Sequence, residues 1–565
     1  MKKIKLSLWI ISLVLIASIG LTACGDEASQ APAADAPAAD APAVPAADAA
    51  AAPAAAAPAA TGGNSVADLG FRPETNGFPF ENYGSGNYVN LTPEDMNRIY
   101  GDVVCANKVD GKCALTPPSD QWMQQTNDAM SGGHCYGMAQ ASLLFFQNKL
   151  APADFSGTAI TDFKLDGNEK LQREIAFNWS GQKLDKVRQG AVGGKPNDVL
   201  DKVIESLKAG PSSEVYVAGF FKSDGSGGHA VTPYAVEDRG NGVMALMIYD
   251  NNYPGKPREM LFDRNANSWS YEASTNPSVA SQLYTGDATT QSFFIFPVSP
   301  AIQQSACPFC SGGVAAKKGN GLASTVGAQN EIYLDGAADL LITDENGKKL
   351  GRVDGKIVNE IPGASYEVPM AAFDSDIEPV YNVPTSINLT MAIDGSRLKE
   401  AALTDVVVIG PGYDLGVEGI GLDPGQVDEL TVQSTEKIIS YRTDSSESPT
   451  FIIGLEREGA DFEFELQGAD IEGGGRINIL IDPKTGDLLI NADEIKKDGK
   501  FYLSMTRIDD TSEENFTNDE IILKSGAILY IDFAEWKGNG TPVKMGIDTN
   551  GDGILEEEYT SADEQ

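Results

Sequence analysis

Histidine is the scarcest reactive side chain in this sequence: there are two in 565 residues, alongside six cysteines. Two imidazoles are too few for a histidine-rich metal enzyme, and they make any histidine-dependent chemistry easy to locate. Residues 331–565 contain neither histidine nor cysteine, so such chemistry belongs before residue 331. Basic residues are also short, 42 Lys+Arg against 81 Asp+Glu, for a net charge of −39 and a pI near 4.3. A surface of that sign repels phosphates and gains nothing from counterion release, which excludes nucleic acid as a partner. What is present is 42% hydrophobic residues, enough for packed domains, in a chain too long for one ordinary core.

Residues 1–23 read as an export signal. Lys2, Lys3 and Lys5 form a basic start, and the apolar stretch Leu6–Ile19 spans 14 residues, short for a membrane span. It ends in Leu21-Thr22-Ala23-Cys24, which resembles the lipobox of bacterial lipoproteins. That resemblance implies cleavage before Cys24, a diacylglycerol thioether on its sulfur, acylation of its new amine, and anchoring to a bacterial membrane outside the cytoplasm. Residues 24–64 continue as a tether, with Pro32, Pro37 and Pro42 in Ala/Pro/Asp-rich units that lack large apolar side chains.

Charge divides the remainder. Residues 331–565 carry a net −31, against −8 for residues 1–330. The acidic part reads as β and sandwich-like. Ile477–Asp482 and Asp487–Asn491 flank a Pro-Lys-Thr-Gly turn, and Asp344-Glu-Asn-Gly347 predicts a hairpin after Leu340–Ile342. One helix is expected around Pro424–Leu430. Residues 301–330, rich in Ala, Gly and Ser, are the expected linker.

Residues 65–300 differ in kind. Around Cys135 the sequence is Ser131-Gly-Gly-His-Cys-Tyr-Gly-Met-Ala-Gln140, and Ala139, Leu143, Phe146 and Leu150 mark one apolar face of a helix that Pro152 ends. Cys135 then sits at a helix N-terminus, where the dipole favours thiolate. A thiolate nucleophile needs a base, and the base needs an orienting group. His134, the immediate neighbour of Cys135, reads as a loop residue. His229 opens the strand Gly227-Gly-His-Ala-Val-Thr-Pro-Tyr-Ala-Val-Glu237, and a turn at Gly240-Asn-Gly242 returns the chain along Val243–Tyr249 to Asp250-Asn-Asn-Tyr-Pro-Gly255. A hairpin sets the start of one strand beside the end of the next, so His229 and Asp250 are expected to face each other.

This order, with Cys at a helix start and His and Asp on adjacent antiparallel strands, resembles the papain-like cysteine peptidase superfamily, in particular its bacterial branch related to bacteriocin leader peptidases. The resemblance covers roughly residues 120–300 and implies an α+β domain with Cys135 as nucleophile, His229 as general base and later acid, and Asp250 as orienter, with Asn251 or Asn252 as the fallback. It also implies an oxyanion donor, which in the family is a Gln a few residues before the cysteine. Position 129 is Ala, and the nearest glutamines are Gln124 and Gln125. Gln125 is the candidate and Asn127 the substitute.

Four cysteines remain. Cys105 and Cys113 flank a plausible hairpin loop, and Cys307 and Cys310 form a CPFC segment; both pairs read as structural disulfides in an extracytoplasmic setting. Near the C-terminus, Asp548-Thr-Asn-Gly-Asp-Gly553 matches the first positions of a calcium loop, with Asp548, Asn550, Asp552 and Glu556 as ligands and Glu558 as the alternative for the last. Position 12 is Tyr559 rather than Glu, a departure from the full EF-hand.

The sequence therefore predicts a lipid-anchored, extracytoplasmic cysteine hydrolase acting on protein or peptide substrates through an acyl-enzyme, with no catalytic cofactor and with calcium near the C-terminus. Acyl transfer and cell-wall endopeptidase activity are variants of the same chemistry. The alternative is a non-enzymatic surface adhesin or scaffold with the same folds. Accessibility of the sulfur separates them: an open cleft favours the enzyme, and an inaccessible Cys135 favours the scaffold.

Overall fold

The computed structural model describes residues 64–564, except 85, 110, 224, 275–279, 312–327, 371–377, 434–437, 483–484, 493 and 539. The expected signal segment, Cys24 and the tether lie outside the described residues. Among the described residues no helix is long and apolar enough to cross a membrane. The protein is mixed α+β, a helical region with its own sheet followed by a β-rich region.

Helices Pro93–Tyr100, Pro117–Ala129, Cys135–Phe146, Glu169–Trp179 and Pro196–Ala209 dominate the first part. Four of the five start with proline or acidic residues in the first turn, where an N–H would be unsatisfied or a negative charge meets the dipole. The fifth, Cys135–Phe146, has neither feature. It is buried on every side up to Phe145, so the single apolar face read from its periodicity is corrected to a wholly enclosed helix. Its end is corrected too. The helix stops at Phe146, because Asn148 adopts left-handed backbone (φ 56°) well before Pro152. Gly137 permits its close approach to Glu169–Trp179: a Cβ there would lie 2.2 Å from the carbonyl oxygen of Ile175.

An eight-stranded antiparallel sheet backs this helix. Tyr216–Phe220 pairs with Phe293–Pro297 and with His229–Gly240, and the order then runs through Val243–Tyr249, Pro257–Asp263, Ser268–Ala273 and Gln282–Asp287. Asn64–Asp68 pairs with His229–Gly240 from the side. The turn at residues 240–242 sets Thr232 opposite Tyr249, so Asp250 follows directly beside the start of the histidine strand.

The β-rich region contains a nine-stranded and an eleven-stranded sheet. Strands such as Arg476–Asp482 bury every second residue, the pattern of a sheet with one face inward. Ile332, Val408, Phe464 and Met505 of one sheet and Leu340, Met391, Val432 and Ile479 of the other belong to a single apolar core. The hairpins expected at Asp344–Gly347 and between Ile477–Asp482 and Asp487–Asn491 are present. The helix expected near Pro424 is corrected to the strand Val427–Gln433, which buries Asp428, Leu430 and Val432 in alternation. Residues 301–311 are packed rather than free: Phe309 stacks on Trp122 with ring centroids 5.4 Å apart, and Ser305 N–H donates to the Ile99 carbonyl.

The two parts also meet directly. Lys183 Nζ donates to Tyr333 Oη at 2.9 Å, and Trp122 Nε1 donates to Glu331 at 3.2 Å. Tyr333, Met370, Val380, Val407 and Ile409 from beyond residue 330 sit in the core of the first part.

Candidate active site

Cys135 is the first residue of its helix, and its backbone N–H is one of the donors that no intrahelical carbonyl can reach. Its thiol is free while Cys105–Cys113 and Cys307–Cys310 form the two expected disulfides. The hairpin brings His229 to it from one side and Asp250 behind His229. His229 Nε2 lies 2.9 Å from Asp250 Oδ1. Nδ1 makes no hydrogen bond of its own, although Cys135 stands near enough to favour the charged ring. The thiol has a second neighbour: Sγ donates to the Met370 carbonyl at 3.3 Å.

Burial works against charging His229, but Asp250 and then Cys135 outweigh it and push the imidazole up to about 10. Burial likewise opposes the Asp250 carboxylate. His229, Tyr271 and the Asn252 N–H reverse that and hold the carboxyl below its usual range. Tyr271 Oη donates to Oδ2 at 2.6 Å and Asn252 N–H donates to Oδ1 at 2.9 Å. A ring tied through Nε2 to a carboxylate leaves Nδ1 as the nitrogen that exchanges a proton with sulfur.

Asn251 and Asn252 take supporting places. Asn251 Nδ2 donates to the carbonyls of Cys135 and Ala230, both at 3.0 Å, and so ties the cysteine helix to the histidine strand. Asn252 Nδ2 donates to the Ser274 carbonyl at 2.6 Å and lies 3.5 Å from His229 Nε2. His134 caps the helix as a buried loop residue, stacked 4.0 Å from the Tyr83 ring and hydrogen-bonded to Tyr83 O and Asn90 Oδ1. Burial pushes it down to about 4.

Gln125, the expected oxyanion donor, interacts through its side chain with Asp335 in the β-rich region. Asn82 has an unused donor. Its Oδ1 accepts at 2.9 Å from the backbone N–H of His134, the residue before Cys135, and its Nδ2 is buried without a hydrogen bond. Asn82 lies 53 residues before Cys135, in an irregular segment whose composition gives no sign of the role. Tyr271, on a strand of alternating burial, was equally silent.

No family model, curated protein or solved structure matches this chain.

The second expected site lies in the turn of the last hairpin, between Val543–Asp548 and Glu557–Ser561. Carboxylate oxygens of Asp548, Asp552 and Glu556 lie within 4.8 Å of one another. Asn550 faces them with Nδ2 donating to Glu556 Oε1 at 3.1 Å, and its Oδ1 accepts from Asp552 N–H. Asp548 is buried and accepts three backbone N–H groups, from Asn550, Gly551 and Gly553, which fixes the loop around its carboxylate.

The thiol, the imidazole and the Asp250 carboxylate are all wholly buried. Of the two arms of the accessibility criterion, the sulfur therefore falls on the inaccessible one, and Met370 of the β-rich region lies against it.

Proposed function

We propose that this chain is a papain-like cysteine hydrolase acting on peptide bonds, held outside the cytoplasm on a bacterial membrane by lipidated Cys24. The observation that carries the reading is the line from a free thiol at a helix start to His229 and from His229 Nε2 to Asp250 at 2.9 Å. In the reaction His229 Nδ1 takes the thiol proton and sulfur attacks the substrate carbonyl carbon. The oxyanion is met by the Cys135 N–H and by Asn82 Nδ2. The imidazolium then protonates the leaving amine, the C–N bond breaks, and a thioester remains. Water, deprotonated by the same ring, releases the acid and restores the thiol. The C-terminal loop, by the same proposal, takes a calcium ion on Asp548, Asn550, Asp552 and Glu556.

A second reading, a scaffold or adhesin without activity, is favoured by one observation, the full burial of Cys135. Hydrolysis of a mixed peptide library, followed by mass spectrometry, decides between them. The chain and its Met370→Glu form are each compared with the matching Cys135→Ala chain. Products that vanish with Cys135→Ala, and fall by about 10³-fold or more with His229→Ala, support the hydrolase. Absence of any Cys135-dependent product in both backgrounds leaves the scaffold.

A further inference from the structure

The Met370 contact joins residues 235 apart in sequence, and it is built from several sides. Ser365–Glu367 pairs with Val380–Pro384 at the edge of the nine-stranded sheet, and the chain leaving this strand runs into the first part of the molecule. Glu367 is fixed at the entry by an ion pair with Arg188 and by Asn382 Nδ2 at 3.1 Å. At Met370 the backbone is held on both sides of the residue. Its N–H donates to Gln182 Oε1 at 2.8 Å, and its carbonyl accepts from Cys135 Sγ at 3.3 Å. Its side chain lies flat on Gly219: a Cβ there would stand 2.4 Å from Met370 Sδ and 3.1 Å from the Phe296 ring. Met370 is 3% exposed and Gln182 is buried.

A carbonyl at the nucleophilic sulfur, a bound N–H on the same residue and a fitted side chain are what an enzyme of this chemistry offers the acyl half of a peptide. We infer that residues 365–370 occupy the substrate's own place, so that the enzyme is latent until they leave and its substrates are peptides whose attacked carbonyl belongs to an unbranched apolar residue such as methionine. This rests on the hydrolase reading. Gly219 sets the selection, because the absence of a Cβ opens a flat apolar seat between the strands Tyr216–Phe220 and Phe293–Pro297, and Gln182 reads the N–H. A β-branched or charged side chain fits neither the space nor the apolar wall. The carbonyl now accepts the thiol proton rather than receiving the sulfur, which describes a resting occupant.

The test pairs a readout of access with one of catalysis. Alkylation of Cys135 by iodoacetamide, mapped by mass spectrometry, is followed in the native chain, in Met370→Glu and in Met370→Gly. The glycine variant removes the side chain without adding charge and serves if the first misfolds. Alkylation is expected to rise at least tenfold in either variant, and peptides with Met before the cleaved bond are expected to react at least tenfold faster than those with Val or Asp. Equal alkylation in all three chains overturns the inference. Equal hydrolysis by native and variant chains overturns the latency and leaves the hydrolase standing, and equal rates for Met and Asp peptides overturn the substrate class. Faster alkylation with no hydrolysis at all overturns the hydrolase reading and the substrate class with it.

Discussion

Asp250 keeps its charge although wholly buried because three donors meet its two oxygens: His229 and the Asn252 N–H on Oδ1, and Tyr271 Oη on Oδ2. Remove the phenol and the buried carboxylate loses the donor on Oδ2, a loss of about 1–3 kcal/mol for an unsatisfied buried acceptor. The charge is then less comfortable, and a proton is shared more readily between Asp250 and His229. Tyr271→Phe is therefore a positioning change: kcat is expected to fall about tenfold with KM little altered, and the acid limb of the rate–pH profile is expected to move toward higher pH. A uniform loss of activity with an unmoved profile, tracking only a lower melting temperature, defeats the positioning role. The triad itself was legible from the sequence because its residue types are rare and each sits beside a turn or helix signal. Tyr271, Asn82 and Gln182 were not, since a tyrosine on a strand or an amide in a loop has many ordinary uses and only the fold aims it at a particular atom.

At the scale of elements, the site is an agreement between a helix and a hairpin, and one side chain enforces it. Asn251 leaves the end of Val243–Tyr249 and donates to the carbonyl of Cys135 on the helix and of Ala230 on the histidine strand. Both acceptors are buried, so Asn251→Ala costs roughly 2–3 kcal/mol, about two net hydrogen bonds. A melting temperature lowered by several degrees and a larger fall in kcat than in stability-matched surface variants are the expected results; thermal unfolding and steady-state kinetics on the same preparations check them. The hairpin that places Asn251 was readable because Gly-Asn-Gly between two β-branched and apolar runs fixes a turn, and the turn fixes register. The C-terminal end of the cysteine helix and the strand at Val427–Gln433 differ from the sequence reading for a shared reason. Both stretches carry apolar residues on more than one periodicity, and burial by tertiary neighbours, rather than local propensity, selected between them.

Across the whole molecule the ruling quantity is charge. The β-rich region carries a net −31, and its last hairpin gathers three carboxylates within 4.8 Å of one another at the edge of the eleven-stranded sheet. Like charges so placed oppose the folded state, and a bound divalent cation converts that repulsion into attraction, while simple screening relieves only the diffuse part. Asp548 is already oriented by three backbone donors, so little ordering remains for the ion to impose. With a dissociation constant of about 10⁻⁴ M, ordinary for calcium loops of extracellular modules, 10 mM calcium supplies roughly 2.7 kcal/mol by mass action. The expected outcome is a melting temperature raised by a few degrees in calcium relative to sodium chloride of equal ionic strength. Asp552→Asn, an exposed ligand whose change leaves the buried Asp548 network in place, is expected to abolish that difference while keeping the response to sodium chloride. If calcium and sodium act alike, or if Asp552→Asn retains the calcium shift, the loop is an acidic turn and general screening accounts for its stability.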